Sequence, residues 1–291
     1  MEPMAIGVMT WEGADGLEAV RWVSSLGIKT MQLGCPPQEY FLGEKKKALI
    51  KELKRSGITV TAVFVNWKGT NYMKKETIGL LNPVHREERI KHIFKTSEFA
   101  KDLMVNNLAQ HIGYIPEETS DLYHRLTYQG LVDAMQKITS RLRQSGQSWL
   151  CETGQETPQT LLRFIKDVGA DNLKVNFDPA NLIYYGWVSG KKIDLFEALD
   201  LLRDYIGGVH CKDVRLPKTE KENRNSGWGL EVPFGQGDVQ AEKLIRKLME
   251  IGYTGPLTIE REIFDKKQRA DDILWSAKFL ERLICSAQRV D

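Results

Sequence analysis

Short apolar runs rich in β-formers alternate with longer stretches of helical period along the whole chain. The runs at 5–9, 29–33, 59–65, 107–111, 148–152, 173–177, 207–211 and 257–260 predict eight strands. Helical patterns at 16–25, 44–56, 86–104, 121–145, 158–168, 194–205 and 239–251 fall between them, and a closing helix is predicted at 269–284. Gly27, Gly57, Gly169 and Gly252 each stand between a helix and the next strand, where a left-handed C-terminal residue costs least. The strands read as continuous apolar runs rather than in-out alternation, the mark of a parallel sheet covered by helices. Eight such units predict an α/β fold, a single (β/α)8 barrel of the TIM type with a closing C-terminal helix, occupying residues 1–291 as one domain.

The competing architecture is an open doubly wound sheet, which would place a glycine-rich phosphate turn after its first strand. Met9-Thr10-Trp11-Glu12-Gly13 follows that strand instead, and Gly235-Gln236-Gly237 lacks a third glycine, so a nicotinamide cofactor is not expected. The longest irregular stretch, 214–237, falls after the seventh strand, where a barrel carries a functional loop.

Composition narrows the class further. The 291 residues are 42% apolar, enough to bury a core, and the formal net charge is only +2. Near-balanced charge gives no electrostatic footprint for nucleic acid or an anionic membrane. No window approaches the ~20 apolar residues of a spanning helix, and the start MEPMAIGVMTW has neither a basic segment nor a long apolar one, so export is not expected. Cys35, Cys151, Cys211 and Cys285 stand far apart with no C-x-x-C pair, which fits reduced core thiols in a cytoplasmic protein.

Barrel chemistry sits at the C-terminal ends of the strands. Four successive predicted ends carry chemistry: the fifth runs into Glu152, the sixth into Asp178, the seventh ends at His210 and the eighth at Glu260. Neighbouring strands lie about 4.8 Å apart, so these side chains can converge near the axis. Three carboxylates repel one another, and with an imidazole beside them they are hard to hold together unless a cation neutralises them; this O/N set suits one divalent ion such as Mn²⁺, Mg²⁺, Co²⁺ or Zn²⁺. Singly, each carboxylate could instead cap a helix or pair with a base, and Asp178 before Pro179 fits a cap. His111 ends the fourth strand and stands open between a substrate role and a structural one, while His85, His92 and His124 fall on helical stretches as surface residues.

Glu152 in LCETGQET, Asp178 in NFDPANL, His210 in VHCKD, the Gly235–Asp238 turn and Glu260 in GYTGPLTIERE together resemble the xylose-isomerase-like barrels of the sugar phosphate isomerase and epimerase family. The resemblance covers nearly the whole chain. It implies that Glu152, Asp178, His210 and Glu260 bind one divalent metal and that the two glutamates are also the catalytic acid and base. The implied enzyme is an isomerase or epimerase of a sugar, sugar phosphate or sugar acid, working by proton transfer through a metal-stabilised enediolate. A dehydratase acting on an inosose-type ketone and a catalytically inactive sugar-binding barrel are the alternatives. Endonuclease IV shares the barrel, but five histidines and balanced charge argue against a multi-zinc nuclease. Ketose 3-epimerases of the family carry a histidine three residues after the metal-binding aspartate, where this chain departs with Asn181.

Around this centre, His111, Glu156, Asn181, Arg215, Trp11 and Trp67 are the candidate substrate contacts. Glu156 matches a substrate-contacting position of some relatives and could equally serve in the first turn of a helix. Lys212, Asp213 and Arg215 resemble a substrate-contacting segment or form a surface charge pair. Glu262, two residues beyond Glu260, is placed to be coupled to it. Trp11, Trp67, Tyr184, Tyr185, Trp187 and Trp228 fall in segments just after strands, where flat rings suit the apolar face of a sugar or pack loops together. Asp238 is expected to cap the helix that follows it. The implied partner is a small sugar-like molecule, and relatives of this type are often homo-oligomers.

Overall fold

The computed structural model describes residues 3–287 except 12, 68, 72, 73, 75, 76, 118 and 219–229. Eight parallel strands close into a barrel: β1 (Ile6–Met9), β2 (Thr30–Gly34), β3 (Thr59–Phe64), β4 (Asn107–Gln110), β5 (Ser148–Glu152), β6 (Leu173–Phe177), β7 (Ile206–Cys211) and β10 (Leu257–Ile259). The last strand pairs with both β1 and β7, setting Leu257 beside Ile6 and Thr258 beside His210, which closes the ring. Two short strands absent from the sequence reading, β8 (Asp213–Arg215) and β9 (Leu230–Val232), form an antiparallel pair outside the barrel after β7.

Nine helices are present among the described residues: α1 (Gly16–Ser25), α2 (Gly43–Ser56), α3 (Pro83–Asp102), α4 (Leu122–Arg143), α5 (Pro158–Val168), α6 (Pro179–Ser189), α7 (Leu195–Leu202), α8 (Ala241–Glu250) and α9 (Lys266–Ala287). Side chains set where several begin. Asp15 accepts from the amides of Leu17 and Glu18, Asn82 from Val84, Thr157 from Thr160 and Asp194 from Phe196 and Glu197, each satisfying donors that have no partner within the helix. The glycine stops behave as expected, with Gly57 and Gly169 left-handed at the ends of α2 and α5. Helix α6 was not predicted, because PANLIYYGWVS is apolar or aromatic almost throughout and lacks a polar face.

The barrel strands are buried along nearly their whole length, and the core between barrel and helices contains Trp149, Phe99, Phe164 and Phe177. Inside the barrel Met9, Ala62, Phe64, Ala109 and Leu150 form a separate apolar cluster. The Phe64 ring lies nearly parallel to His210, with centroids 6.0 Å apart. Cys35, Cys151 and Cys211 are core thiols, whereas Cys285 is exposed. No described helix is long and apolar enough to cross a membrane.

Candidate metal centre

Each of the four strand-end residues is delivered by its own element. Glu152 is the last residue of β5, His210 lies in β7, and Glu260 follows β10 directly. Asp178 leaves β6 and caps α6, so its two oxygens divide the work: Oδ1 accepts from the Asn181 amide at 2.9 Å, while Oδ2 turns toward His210. One donor atom from each of the four residues lies within 4.8 Å of those from the other three, and all four residues sit in the buried mouth of the barrel. The capping role and the cluster role of Asp178 are both met by one carboxylate.

His210 is the hub. Its Nδ1 stands 3.0 Å from Glu152 Oε1, 2.8 Å from Glu260 Oε2 and 3.7 Å from Asp178 Oδ2. Asp178 Oδ2 is a buried oxygen that accepts no well-formed hydrogen bond, whereas Glu260 Oε2 is ion-paired with His210 and Lys212. Leaving a buried acceptor such as Asp178 Oδ2 unsatisfied costs on the order of 1–3 kcal/mol, and a divalent cation among the four residues would satisfy it. The donor set of three carboxylates and one imidazole therefore fits such an ion.

The two glutamates differ in their surroundings. Burial raises the Glu152 carboxyl to about 7, against the lowering effect of His210. Burial also acts on Glu260, but Lys212 and His210 outweigh it and hold this carboxyl below its usual range. Asp178 is likewise lowered: burial opposes ionisation, and the His210 contact with the Lys212 charge overcomes it. Burial disfavours charge on His210, yet Glu152 and Glu260 together raise its affinity for a proton well above the usual imidazole range.

The surrounding candidates separate. Asn181 donates from Nδ2 to Glu152 Oε1 at 3.3 Å, joining the centre directly. His111 bonds to the backbone of Glu152, and burial lowers its pKa to about 4, so it is neutral at physiological pH. Glu156 is buried, where desolvation and then the charge of Glu117 push its carboxyl well above the usual range. It precedes the Thr157 cap, outside the first turn of α5. Trp67 is only 4% exposed and stacks on Trp149, so it belongs to the core. Trp11 lies at the surface, edge-on to Phe264 at 5.7 Å and beneath the Arg269 guanidinium. Arg215 is exposed and donates to the Gln236 carbonyl at 3.3 Å, toward the 235–238 turn. Tyr184 and Trp187 ride on α6, 5.9 Å apart; Trp228 lies outside the described residues.

Three expectations change. Lys212 and Asp213 are not a surface charge pair, since both are buried. Lys212 reaches Glu260 at 3.4 Å and Glu262 at 2.5 Å, so Glu262 is coupled to the centre through the lysine and lies outside the four-residue cluster. Asp238 accepts from the Leu216 amide instead of capping α8, which starts at the left-handed Gln240 without a side-chain cap. His92 is half-buried against Phe41, not a surface group.

Sequence reasoning passed over Gln32 and Asn176. Asn176 donates to Glu152 Oε2 at 2.9 Å, and Gln32 Oε1 lies 2.8 Å from His210 Nε2. A side-chain amide in the middle of a barrel strand was the available signal, because a buried amide must find partners.

Comparison with known proteins agrees with this architecture. A solved xylose isomerase domain protein from Planctomyces limnophilus is 35% identical, with 97% of each chain covered and a TM-score of 0.85. A D-tagatose 3-epimerase-like protein is 19% identical over 99% of this chain and 100% of its own, at a TM-score of 0.73. A magnesium complex of a xylose isomerase-like TIM barrel protein from Mycobacterium smegmatis is 16% identical over 99% and 98% of the two chains, at 0.72. These last two establish likeness of fold alone. An uncharacterized protein of Methanocaldococcus jannaschii is 26% identical over 211 residues, 67% of this chain, and the match spans 65% of that relative's length. The family model for the xylose isomerase-like TIM barrel matches residues 20–283, and the chain belongs to that family.

Proposed function

We propose that the protein is a divalent-metal-dependent isomerase or epimerase of a sugar, sugar phosphate or sugar acid, with Glu152 and Glu260 as its acid and base. The observation that carries this reading is the inequality of two buried glutamates that share one histidine. Glu260, beside Lys212 and His210, is held as a carboxylate suited to removing a proton from carbon. With no ion bound, burial raises the Glu152 carboxyl to about 7, so of the two glutamates it has the greater affinity for a proton and is the one suited to returning it.

A bound divalent ion would be held by Glu152, Asp178, His210 and Glu260, and would supply positive charge to stabilise oxyanion character on a carbonyl and its neighbouring hydroxyl. Glu152 and Glu260 enter from β5 and β10, three positions apart around the ring, so each can address the substrate from its own side. Asn176 and Asn181 fix the Glu152 carboxyl by donating a hydrogen bond from each side-chain amide. Burial of the four residues excludes water from the proton being moved. We assign Asn181 and neutral His111 to the substrate-facing shell, with Glu156 as a protonated donor beside them; Trp11 and Arg215 stand further out at the mouth. A binding module has no use for an acid and base of unequal strength, which favours catalysis over a barrel that only binds a sugar.

The test incubates Mn²⁺-loaded protein with ketoses, inosose-type ketones and sugar acids in deuterated water and follows deuterium entry beside the carbonyl by NMR. Exchange is expected with at least one of these classes, and Glu152→Gln should slow it by about 10²-fold or more with the fold intact. Undiminished exchange in that variant would overturn the acid/base assignment.

A further inference from the structure

We propose that Gln32 and Asn176 are positioning residues, forming a one-way hydrogen-bond relay that fixes which nitrogen of His210 and which oxygen of Glu152 face the metal. The inference rests on the metal-centre reading above. The relay has three links. His210 Nε2 lies 2.8 Å from Gln32 Oε1, Gln32 Nε2 lies 3.2 Å from Asn176 Oδ1, and Asn176 Nδ2 lies 2.9 Å from Glu152 Oε2. All four residues are buried, with His210 and Asn176 fully enclosed.

The direction of the relay follows from its carboxylate end. A Glu152 that holds an ion is deprotonated and can only accept, so Asn176 must present its NH₂ there and its carbonyl to Gln32, as the two contacts have it. Gln32 must then present its own NH₂ to Asn176, which leaves its carbonyl facing His210. Nε2 of His210 must therefore carry the hydrogen. Turning either amide over would set acceptor against acceptor or donor against donor in a dry interior, an expensive arrangement. Nδ1, the nitrogen that faces all three carboxylates, is left with its lone pair for the ion. At the other end, Glu152 Oε2 is occupied by Asn176, and Oε1 is the oxygen turned to the cluster.

The backbone is shaped to permit this. Strands β2 and β6 stand diametrically opposite in the eight-strand ring, so Gln32 spans the barrel interior to reach Asn176. The β2–β3 register shifts between Met31 and Gln32, and the β6–β7 register shifts between Val175 and Asn176. Such irregularities re-aim a side chain, and here both fall on the two relay residues. Gly208 in β7 clears the path: a Cβ there would stand 2.4 Å from Asn176 Oδ1.

The decisive measurement is nitrogen NMR of ¹⁵N-histidine-labelled protein loaded with Zn²⁺, a diamagnetic probe. The expected result is a His210 ring protonated at Nε2, with a slowly exchanging N–H, and bound through Nδ1. The opposite tautomer in an ion-loaded site would overturn the relay while sparing the metal centre. Failure of the wild type to bind Zn²⁺ or Mn²⁺ would overturn the metal centre, and the relay with it. Two variants add a readout that a merely structural role would not produce. Gln32→Met, close in shape, should weaken Mn²⁺ binding by about 10–100-fold and abolish the slow N–H. Gln32→Glu keeps an acceptor for His210 but cannot donate to Asn176, so it should retain the N–H signal while still losing affinity. Wild-type affinity together with a retained N–H in Gln32→Met would overturn the proposal; should that variant fail to fold, the wild-type spectrum decides alone.

Discussion

Lys212 Nζ stands 3.4 Å from Glu260 Oε2, whereas among the described residues no lysine or arginine is ion-paired with Glu152. One buried ammonium thus distinguishes two glutamates that are otherwise alike in burial and in their contact with His210. It is itself retained as a cation: burial opposes its charge, and Glu260 with Glu262 more than compensates.

Replacing this lysine should therefore change the pH dependence before it changes the fold. In Lys212→Met, burial of Glu260 is no longer offset by the ammonium, so the carboxyl should take up its proton at higher pH. The acid limb of the pH profile for solvent deuterium exchange should move upward by about one unit. An acid limb that stays in place would show that Lys212 does not govern Glu260.

Metal affinity should itself depend on pH, and its direction follows from the free site. His210 holds a proton between Glu152 and Glu260, and Glu152 holds one up to about 7. An ion needs both groups deprotonated, so binding expels protons and strengthens as pH rises. Below about pH 7, apparent Mn²⁺ affinity should fall by roughly tenfold per pH unit for each proton displaced. Calorimetry in buffers of differing ionisation enthalpy counts the protons; binding that is flat across this interval with no proton release would contradict the arrangement.

Removing the ion should lower stability by mass action. At a free concentration about 100 times Kd, a ligand of the folded state alone contributes about 2.7 kcal/mol, a shift of roughly 4–5 °C for a chain of this size. Asp178→Asn makes the test selective. An asparagine oxygen can still accept from the Asn181 amide and keep the α6 cap, while the charge on the cluster side is lost. The variant should melt near the metal-free wild type and gain little from added Mn²⁺. Scanning calorimetry with chelator and with Mn²⁺ compares the two proteins, and an undiminished metal-dependent shift in the variant would remove Asp178 from the ligand set.

The barrel was legible because each strand is a largely apolar run closed by turn chemistry, and the four-residue cluster because each member sits at the end of one of those runs. What stayed hidden depended on direction rather than identity. Gln32 and Asn176 share their strands with Thr30 and Lys174, and only the fold, with a register shift at each amide, decides that these two point at the centre. Lys212-Asp213 reads as a surface pair until β8, β9 and the 235–238 turn are folded over it. Helix α6 carries its signals at the ends, Asp178-Pro179 and Gly190, but no polar stripe between them. The aromatic residues show the same limit. Trp11 and Trp67 each follow a strand, yet one lies at the surface and the other in the core.

Asp213 offers the sharpest test of how the segment beside His210 is held. Its Oδ1 accepts from the amides of Val214 and Val239 at 2.9 and 3.1 Å, and its Oδ2 from Gly235 and Gly237, both at 2.9 Å. Four backbone donors thus converge on one buried carboxyl and tie the end of β7 to the turn before α8. The fit is close enough that a Cβ at Gly237 would stand 2.2 Å from Asp213 Oδ1. Asp213→Ala would orphan all four donors, and with each costing on the order of 1–3 kcal/mol if it stays dry, a loss of about 3 kcal/mol or more is expected. Asp213→Asn keeps one oxygen and turns an NH₂ against the other two donors, so it should fall between alanine and wild type. Denaturant unfolding ranks the three proteins, and native-state hydrogen exchange should show the Gly235, Gly237 and Val239 amides losing protection first. Equal stability of Asp213→Ala and wild type would mean that water or neighbouring groups replace the carboxyl, and that the turn is held by something else.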